Sequence, residues 1–275
     1  MRATRHPDRP GGILVVMAPE IPSTPLTPQI SLPLIGFGTW QLHGDTAYAS
    51  TRAALDAGYR HLDTATLYRN EAQVGQALLD SGVPRDRVFI TTKLPPDRSE
   101  RARATLEDSL RLLGVDAVDM WLIHWPPGSG GPKAWAEMLA LRDEGLTRTV
   151  GVSNYDLAQI DELVAATGEA PVANQIHWNP RRYDAATLAG HRERGVVLEG
   201  YSPLKDTNLD DKVLTGIADR HGVTAAQVVL RWHIEHGIPV IPRSSRPERV
   251  VSNLDILGFS LAPEEVAVVD GLAAG

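Results

Sequence analysis

The chain has no cysteine, which excludes disulfides, a thiol nucleophile and thiolate metal sites. No run of about 18 apolar residues occurs, so no segment is expected to cross a membrane. Several local signatures are also missing. Gly36-Phe37-Gly38-Thr39-Trp40-Gln41 begins like a dinucleotide fingerprint but lacks the third glycine. Gly151-Val152-Ser153-Asn154-Tyr155 and Gly200-Tyr201-Ser202-Pro203-Leu204 begin like nucleophile elbows but lack the closing glycine. There is no P-loop and no His-Glu-x-x-His, and no metal site is expected. Positive charge is in deficit: the formal net charge of −7 argues against nucleic acid or an anionic membrane surface as the main partner. The lack of cysteine fits a reducing compartment, and a cytoplasmic protein is expected.

What remains is enough chain for one large core, 275 residues of which 43% are hydrophobic. Residues 1–28 stand apart. Pro19, Pro22, Pro25 and Pro28 predict a disordered, proline-rich tail. The apolar patch Ile13 to Ala18 is shorter than a secretory core segment, and Met17 offers an alternative start.

From residue 29 onward, strand-like and helix-like segments alternate. Strands are predicted at Leu34–Gly38, His61–Thr64, Val88–Thr92, Val118–Ile123, Thr147–Val152, Val172–Ile176, Val196–Tyr201 and Pro239–Ile241. Helical patterns fill the intervals, for instance Asp45–Ala57, Glu71–Asp80, Ser99–Leu113, Asp156–Ala166, Ala225–His236 and Pro247–Leu257. Gly58 and Gly82 sit just beyond helices, where left-handed backbone is needed. Eight β/α units without a fixed repeat predict a single-domain α/β protein, a (β/α)8 TIM barrel over residues 29–275, in preference to a doubly wound open sheet.

In such a barrel the chemistry sits where strands end. Asp63 ends one predicted strand, with Tyr68 on the loop behind it. Lys93 and His124 follow two others. The four types make chemical sense together: an ammonium stabilises a phenolate and lowers the tyrosine pKa, a carboxylate holds the ammonium, and an imidazole orients a carbonyl oxygen. Singly, each has a structural reading, such as a Lys93–Asp63 ion pair or a satisfied His124. Their convergence on one rim is the stronger signal. His233 and His236, three apart beside Arg231 and Glu235, read as an ordinary surface face.

Gly58-Tyr59-Arg60-His61-Leu62-Asp63-Thr64-Ala65, followed by Tyr68, Asn70-Glu71 and Val74-Gly75, closely resembles the defining signature of the aldo-keto reductases. Phe89 to Leu94, Leu122-Ile123-His124-Trp125-Pro126, Val150 to Tyr155, Tyr201-Ser202-Pro203-Leu204 and Ile241-Pro242-Arg243-Ser244 resemble its other landmarks, in family order. The resemblance spans about Ile30 to Leu261. It implies a barrel that binds NADPH, with NADH as a possible substitute, and reduces small-molecule aldehydes or ketones to alcohols as a monomer. Tyr68 would be the general acid, Lys93 and Asp63 its pKa-lowering partners, and His124 the carbonyl-orienting group. Thr39, Trp40 and Asp63 would contact the cofactor, Ser153, Asn154 and Gln175 would hold the nicotinamide carboxamide, and Tyr201 would stack on its ring. Ser202, Pro203 and Leu204 would follow the pyrophosphate. Arg243, Ser244, Ser245 and Arg249 would surround the 2′-phosphate, with Asn253 at the adenine. Trp40, Tyr68, His124 and Trp125 would line the carbonyl pocket.

The chain departs from that pattern in three places. Arg243 stands where lysine is usual, Ser252 replaces a common glutamate beside the adenine, and His177-Trp178-Asn179-Pro180 replaces a more usual Glu-aromatic-His-Pro. Some relatives are cofactor-binding regulatory subunits with little turnover, an alternative that the intact Asp63, Tyr68, Lys93 and His124 set argues against.

Overall fold

The computed structural model describes residues 21–274. A short antiparallel hairpin comes first, β1 (Ser23–Thr27) and β2 (Ile30–Pro33). The chain then runs β3 (Phe37–Gly38), α1 (Gly44–Ala57), β4 (His61–Asp63), α2 (Glu71–Ser81), β5 (Phe89–Leu94), α3 (Ala102–Leu113), β6 (Val118–Ile123) and α4 (Gly131–Asp143). It continues with β7 (Thr147–Ser153), α5 (Leu157–Thr167), β8 (Ala173–His177), α6 (Ala185–Glu193), β9 (Val197–Tyr201), α7 (Lys212–His221), α8 (Ala225–Glu235), β10 (Val240–Ile241), α9 (Pro247–Leu254) and α10 (Pro263–Asp270).

Strands β3 to β10 form one eight-stranded parallel sheet in sequence order. A parallel bridge between Ile35 and Val240 closes it, with Gly36 N donating to Val240 O at 2.9 Å and Val240 N to Leu34 O at 3.0 Å. The result is the (β/α)8 barrel. The closing strand is shorter than the predicted Leu34–Gly38. It is also tight: a Cβ on Gly36 would lie 2.3 Å from His61 Nδ1, so only glycine lets β3 pass over that ring.

The helices follow from periodicity and capping. In α3, Ala102, Leu106, Leu110 and Leu113 form one buried stripe. Asp156 caps α5 and Thr224 caps α8, each in a reciprocal box with a glutamine three residues on. Gly58 and Gly82 end α1 and α2 with φ of 110° and 70°, the left-handed conformation that the punctuation predicted.

Three expectations need correction. The tail predicted over residues 1–28 does not extend that far as loose chain, because Ser23–Thr27 is a strand. Leu26, Ile30 and Leu32 of the hairpin pack with Phe89, Met120 and Ala173, on the side of the barrel away from the strand ends that carry Asp63, Lys93 and His124. The hairpin thus plugs the bottom of the barrel, and the prolines in it are tolerated because a two-stranded ribbon has only edge strands. The remainder of the predicted tail, with Met17, lies outside the described residues. Second, the helix predicted over Pro247–Leu257 ends at Leu254 and is followed by α10, with Arg243 ahead of α9 and Arg249 inside its first turn. Third, His233 is fully buried. Its Nδ1 meets Val229 O at 2.8 Å and its Nε2 meets Trp178 O at 3.3 Å, while His236 meets Asp270 at 2.8 Å. His233 is thus satisfied by its own preceding turn and by Trp178, and His236 by Asp270, so neither belongs to an ordinary surface face.

Candidate active site

The C-terminal ends of the strands open into a cleft of about 1130 Å3. Its inner end is lined by Asp63, Tyr68 and His124, three of the four residues singled out above, with the fourth, Lys93, packed behind them. Asp63 closes β4, and the next residues turn through a short 3-10 segment, Thr66–Tyr68, which carries the tyrosine over the barrel mouth. Thr66 Oγ1 donates to Lys93 O at 3.0 Å, tying that turn to β5.

Lys93 is fully buried and does not itself line the cleft. Its Nζ donates to Asp63 Oδ1 at 2.7 Å, to Asp63 Oδ2 at 2.8 Å and to Thr64 O at 2.9 Å, which uses all three ammonium hydrogens. The same nitrogen lies 5.2 Å from the centre of the Tyr68 ring, and Tyr68 meets the His124 ring edge-on at 5.6 Å. Behind the ion pair, Gln175 Nε2 donates to Asp63 Oδ2 at 2.7 Å and to Glu199 Oε2 at 3.0 Å.

Electrostatics divide the roles. Burial pulls the Lys93 ammonium down, but Asp63, together with Tyr68 and Glu199, outweighs it and holds Lys93 above the ordinary lysine value. For Tyr68, burial pushes the phenol above its ordinary value and outweighs Lys93, which pulls in the expected direction, whereas Asp63 pushes the phenol up. Tyr68 therefore keeps its proton at neutral pH while the ammonium waits beside it. Burial, helped by Lys93, pulls His124 down to about 3, which makes it a neutral imidazole.

Above this set, Ser153 Oγ donates to Gln175 O at 2.8 Å. Asn154 Nδ2 donates to His124 O and to Ser153 Oγ, both at 3.0 Å, and Asn154 Oδ1 accepts from the Tyr201 hydroxyl at 2.8 Å. One asparagine therefore ties the ends of β6, β7 and β9 together. Positive φ at non-glycine residues is confined to Gln41, Arg69, Asn154, Ser202 and Asp206 among the described residues. Four of the five directly follow Trp40, Tyr68, Ser153 and Tyr201, a concentration of backbone strain typical of a working site.

The remaining expected residues divide by position. Trp40 and Trp125 line the cleft and are 46% and 47% exposed. Ser202, Pro203, Leu204 and Arg243 line its far wall. Thr39 does not: it is buried, with its hydroxyl donating to Asp63 O at 3.0 Å. Ser244, Ser245, Arg249 and Asn253 lie past the cleft wall, before and along α9. Arg243 reaches across the cleft, its Nη2 donating to Gln41 Oε1 at 2.8 Å.

Sequence reasoning missed Leu67 and Glu199, and it named His177 only within a departure from the family pattern. His177 stacks on Tyr201 at 5.5 Å with rings 13° apart. It pairs in register with Tyr201 on the neighbouring strand, a relation that no local motif encodes. Leu67, immediately before Tyr68, lines the cleft and is 50% exposed.

The family model described as "Aldo/keto reductase family" matches residues 34–274. An "Aldo-keto reductase" of Mycolicibacterium vanbaalenii is 43% identical over 263 residues, covering 94% of each chain. "2,5-diketo-D-gluconic acid reductase B" of a Corynebacterium species is 40% identical, covering 94% of this chain and 95% of that protein. Among solved structures, an aldo/keto reductase from Brucella melitensis superposes with a TM-score of 0.90 at 38% identity, covering 92% of this chain and 98% of that one. A Bombyx mori aldo-keto reductase in complex with NADP superposes with a TM-score of 0.87 at 31% identity, covering 93% and 94%.

Proposed function

Since this chain belongs to the aldo/keto reductase family and is an oxidoreductase acting on carbonyl and alcohol groups, we propose that it reduces aldehydes and ketones with NADPH, Tyr68 serving as the proton donor. The observation that carries this is the buried ammonium of Lys93, clamped by both oxygens of Asp63 at 2.7 and 2.8 Å and 5.2 Å from the Tyr68 ring.

The residues fit a nicotinamide cofactor. Tyr68, Ser153, Asn154 and Arg243 all line one cleft of about 1130 Å3, which gives a dinucleotide room along it. His177 covers one face of Tyr201, which leaves the opposite face for the nicotinamide. At the far end, Arg243 stands ahead of α9, whose capping residue Arg246 makes no side-chain cap. First-turn amides and guanidinium groups suit a phosphate dianion there. When bound, reduced nicotinamide supplies the hydride.

The protein's own part is to hold a proton and place a carbonyl. Burial keeps the Tyr68 hydroxyl protonated, and the neutral His124 donates a hydrogen bond to the carbonyl oxygen. As that oxygen gains charge, Tyr68 gives up its proton, and the phenolate that forms is stabilised by the adjacent ammonium. Lys93 thus acts on the product of proton transfer more than on the resting phenol. Trp40, Leu67 and Trp125 place apolar surface at the mouth, where the substrate's substituent lies.

The test follows the loss of NADPH, and separately NADH, with aliphatic aldehydes and α-dicarbonyl compounds. Turnover that prefers NADPH and falls by about 10² to 10⁴ in Tyr68→Phe is the expected result. Tight NADPH binding without turnover on any carbonyl, or a fully active Tyr68→Phe, refutes the reading. Arg243→Ala should weaken NADPH while sparing NADH, and equal loss for both cofactors would remove Arg243 from the phosphate site.

A further inference from the structure

We propose that Glu199 is a further positioning residue of this site, acting in its protonated form through Gln175 on Asp63. The inference rests on the reading of Asp63, Lys93 and Tyr68 as the proton-delivering set.

Glu199 lies on β9 in register with Gln175 on β8 and is fully buried. The two hydrogens of the Gln175 amide are divided between Asp63 Oδ2 and Glu199 Oε2, at 2.7 and 3.0 Å. The orientation of Gln175 is therefore set by both carboxyls at once, and Asp63 Oδ2 is held from two sides, by Lys93 at 2.8 Å and by Gln175. The other Glu199 oxygen, Oε1, has no hydrogen-bond partner among the described residues, nor has His61 Nδ1. These two orphaned buried atoms face each other at 3.9 Å. The second nitrogen of His61 meets Thr91 Oγ1 at 3.0 Å.

Charge balance decides the protonation. The ionisable groups that reach Glu199 are Asp63 and His61 from β4 and Lys93 from β5. Gln175 faces it from β8, while β10 brings Val240 and Ile241. One ammonium and one carboxylate already cancel, so a second carboxylate would be an uncompensated charge at low dielectric. Burial, then the Asp63 charge, hold Glu199 up to about 8. Burial, then Lys93, hold His61 down to about 3. The pair shares one proton, and Glu199 carries it.

The functional consequence follows from the sign of the charge. When Glu199 ionises, a second negative charge enters behind Asp63. It stabilises the Lys93 ammonium, disfavours the Tyr68 phenolate and makes Tyr68 a weaker acid. Carbonyl reduction therefore declines as Glu199 loses its proton.

Two measurements test this. Infrared difference spectra of wild type against Glu199→Gln, without cofactor, should show a protonated-carboxyl stretching band at pH 7 that the variant lacks. In wild type this band should fade as pH passes about 8. Absence of the band at pH 7 overturns the proposal whether or not the protein reduces carbonyls, and the wild-type titration stands even if the variant does not fold. In the second, kcat/KM for a reducible aldehyde is followed with pH. The ratio of Glu199→Gln to wild type should rise about tenfold between pH 7 and pH 9, the fraction of wild type that loses the proton over that range. A flat ratio means that Glu199 only packs, and it refutes the positioning role.

Discussion

Replacing Lys93 with methionine, which keeps most of the side-chain volume but removes the ammonium, probes the centre of the site directly. Three interactions disappear together: two with Asp63 at 2.7 and 2.8 Å and one with Thr64 O at 2.9 Å. Asp63, 2% exposed, is left with the single hydrogen bond from Gln175 as its side-chain support. Breaking a buried pair by removing one partner costs about 3–5 kcal/mol, because the survivor is an uncompensated charge. The stranded Thr64 carbonyl adds about 1 kcal/mol or more. Lys93→Met is therefore expected to lose roughly 4–6 kcal/mol, much of a single domain's stability. Adding Asp63→Asn should restore at least about half of the loss, since the double variant buries no charge there. The assay is urea unfolding followed by tryptophan fluorescence, compared at constant m. A cost below about 1 kcal/mol, or a double variant no more stable than Lys93→Met, would show that the pair is not held as a buried ion pair.

Glu199→Gln should also change stability with pH. The folded chain keeps a proton up to about 8 that the unfolded chain releases near 4.5, so the folded state loses stability as pH rises between those values. At pH 7 the penalty is of order 3 kcal/mol, at about 1.4 kcal/mol per pH step. The stability advantage of Glu199→Gln over wild type should grow by that order from pH 4.5 to pH 7, and an advantage unchanged by pH would contradict the assignment. The buried histidines have the opposite sign. His61 and His124 are held down to about 3 and His233 to about 4, so the stability they contribute is present above the unfolded value near 6.5 and is lost as pH falls. In a Glu199→Gln background the urea midpoint should drop steadily below pH 6.5; a midpoint level down to pH 4.5 would refute this. Gly75→Ala places a Cβ 2.4 Å from Leu113 O, a backbone atom at the end of α3. A loss of about 1–3 kcal/mol is expected from the forced separation of α2 and α3, and a gain from higher helix propensity would show that the helices yield.

Much of the barrel was legible because local physics and tertiary order coincide in a parallel sheet built in sequence order. Every strand must pair with the next in sequence, so alternation alone implied the neighbours, and a residue at the end of one predicted strand had to stand beside the end of the next. For the same reason Asp63, Lys93 and His124 could be placed on one rim before any contact was known. The bottom hairpin was not legible. Ser23–Thr27 is proline-containing and unremarkable by itself, and it becomes a strand because β2 pairs with it and the barrel floor covers its apolar side chains. His233 looked like surface because its neighbours in sequence are charged, whereas its partners come from its own preceding turn and from Trp178.

The division runs between identity and environment. By itself the amino-acid order determined the β/α alternation, the left-handed glycines that end α1 and α2, and which acid, amine, phenol and imidazole arrive at the strand ends. Those follow from periodicity and side-chain chemistry over a few residues. Only the tertiary structure decided what those groups are in their places: that burial outweighs Lys93 in setting the Tyr68 proton, that Gln175 joins Asp63 to Glu199, and that Glu199 and His61 face each other without partners. Each depends on the distance and dielectric between residues far apart in the chain, and the closing of the barrel sets both.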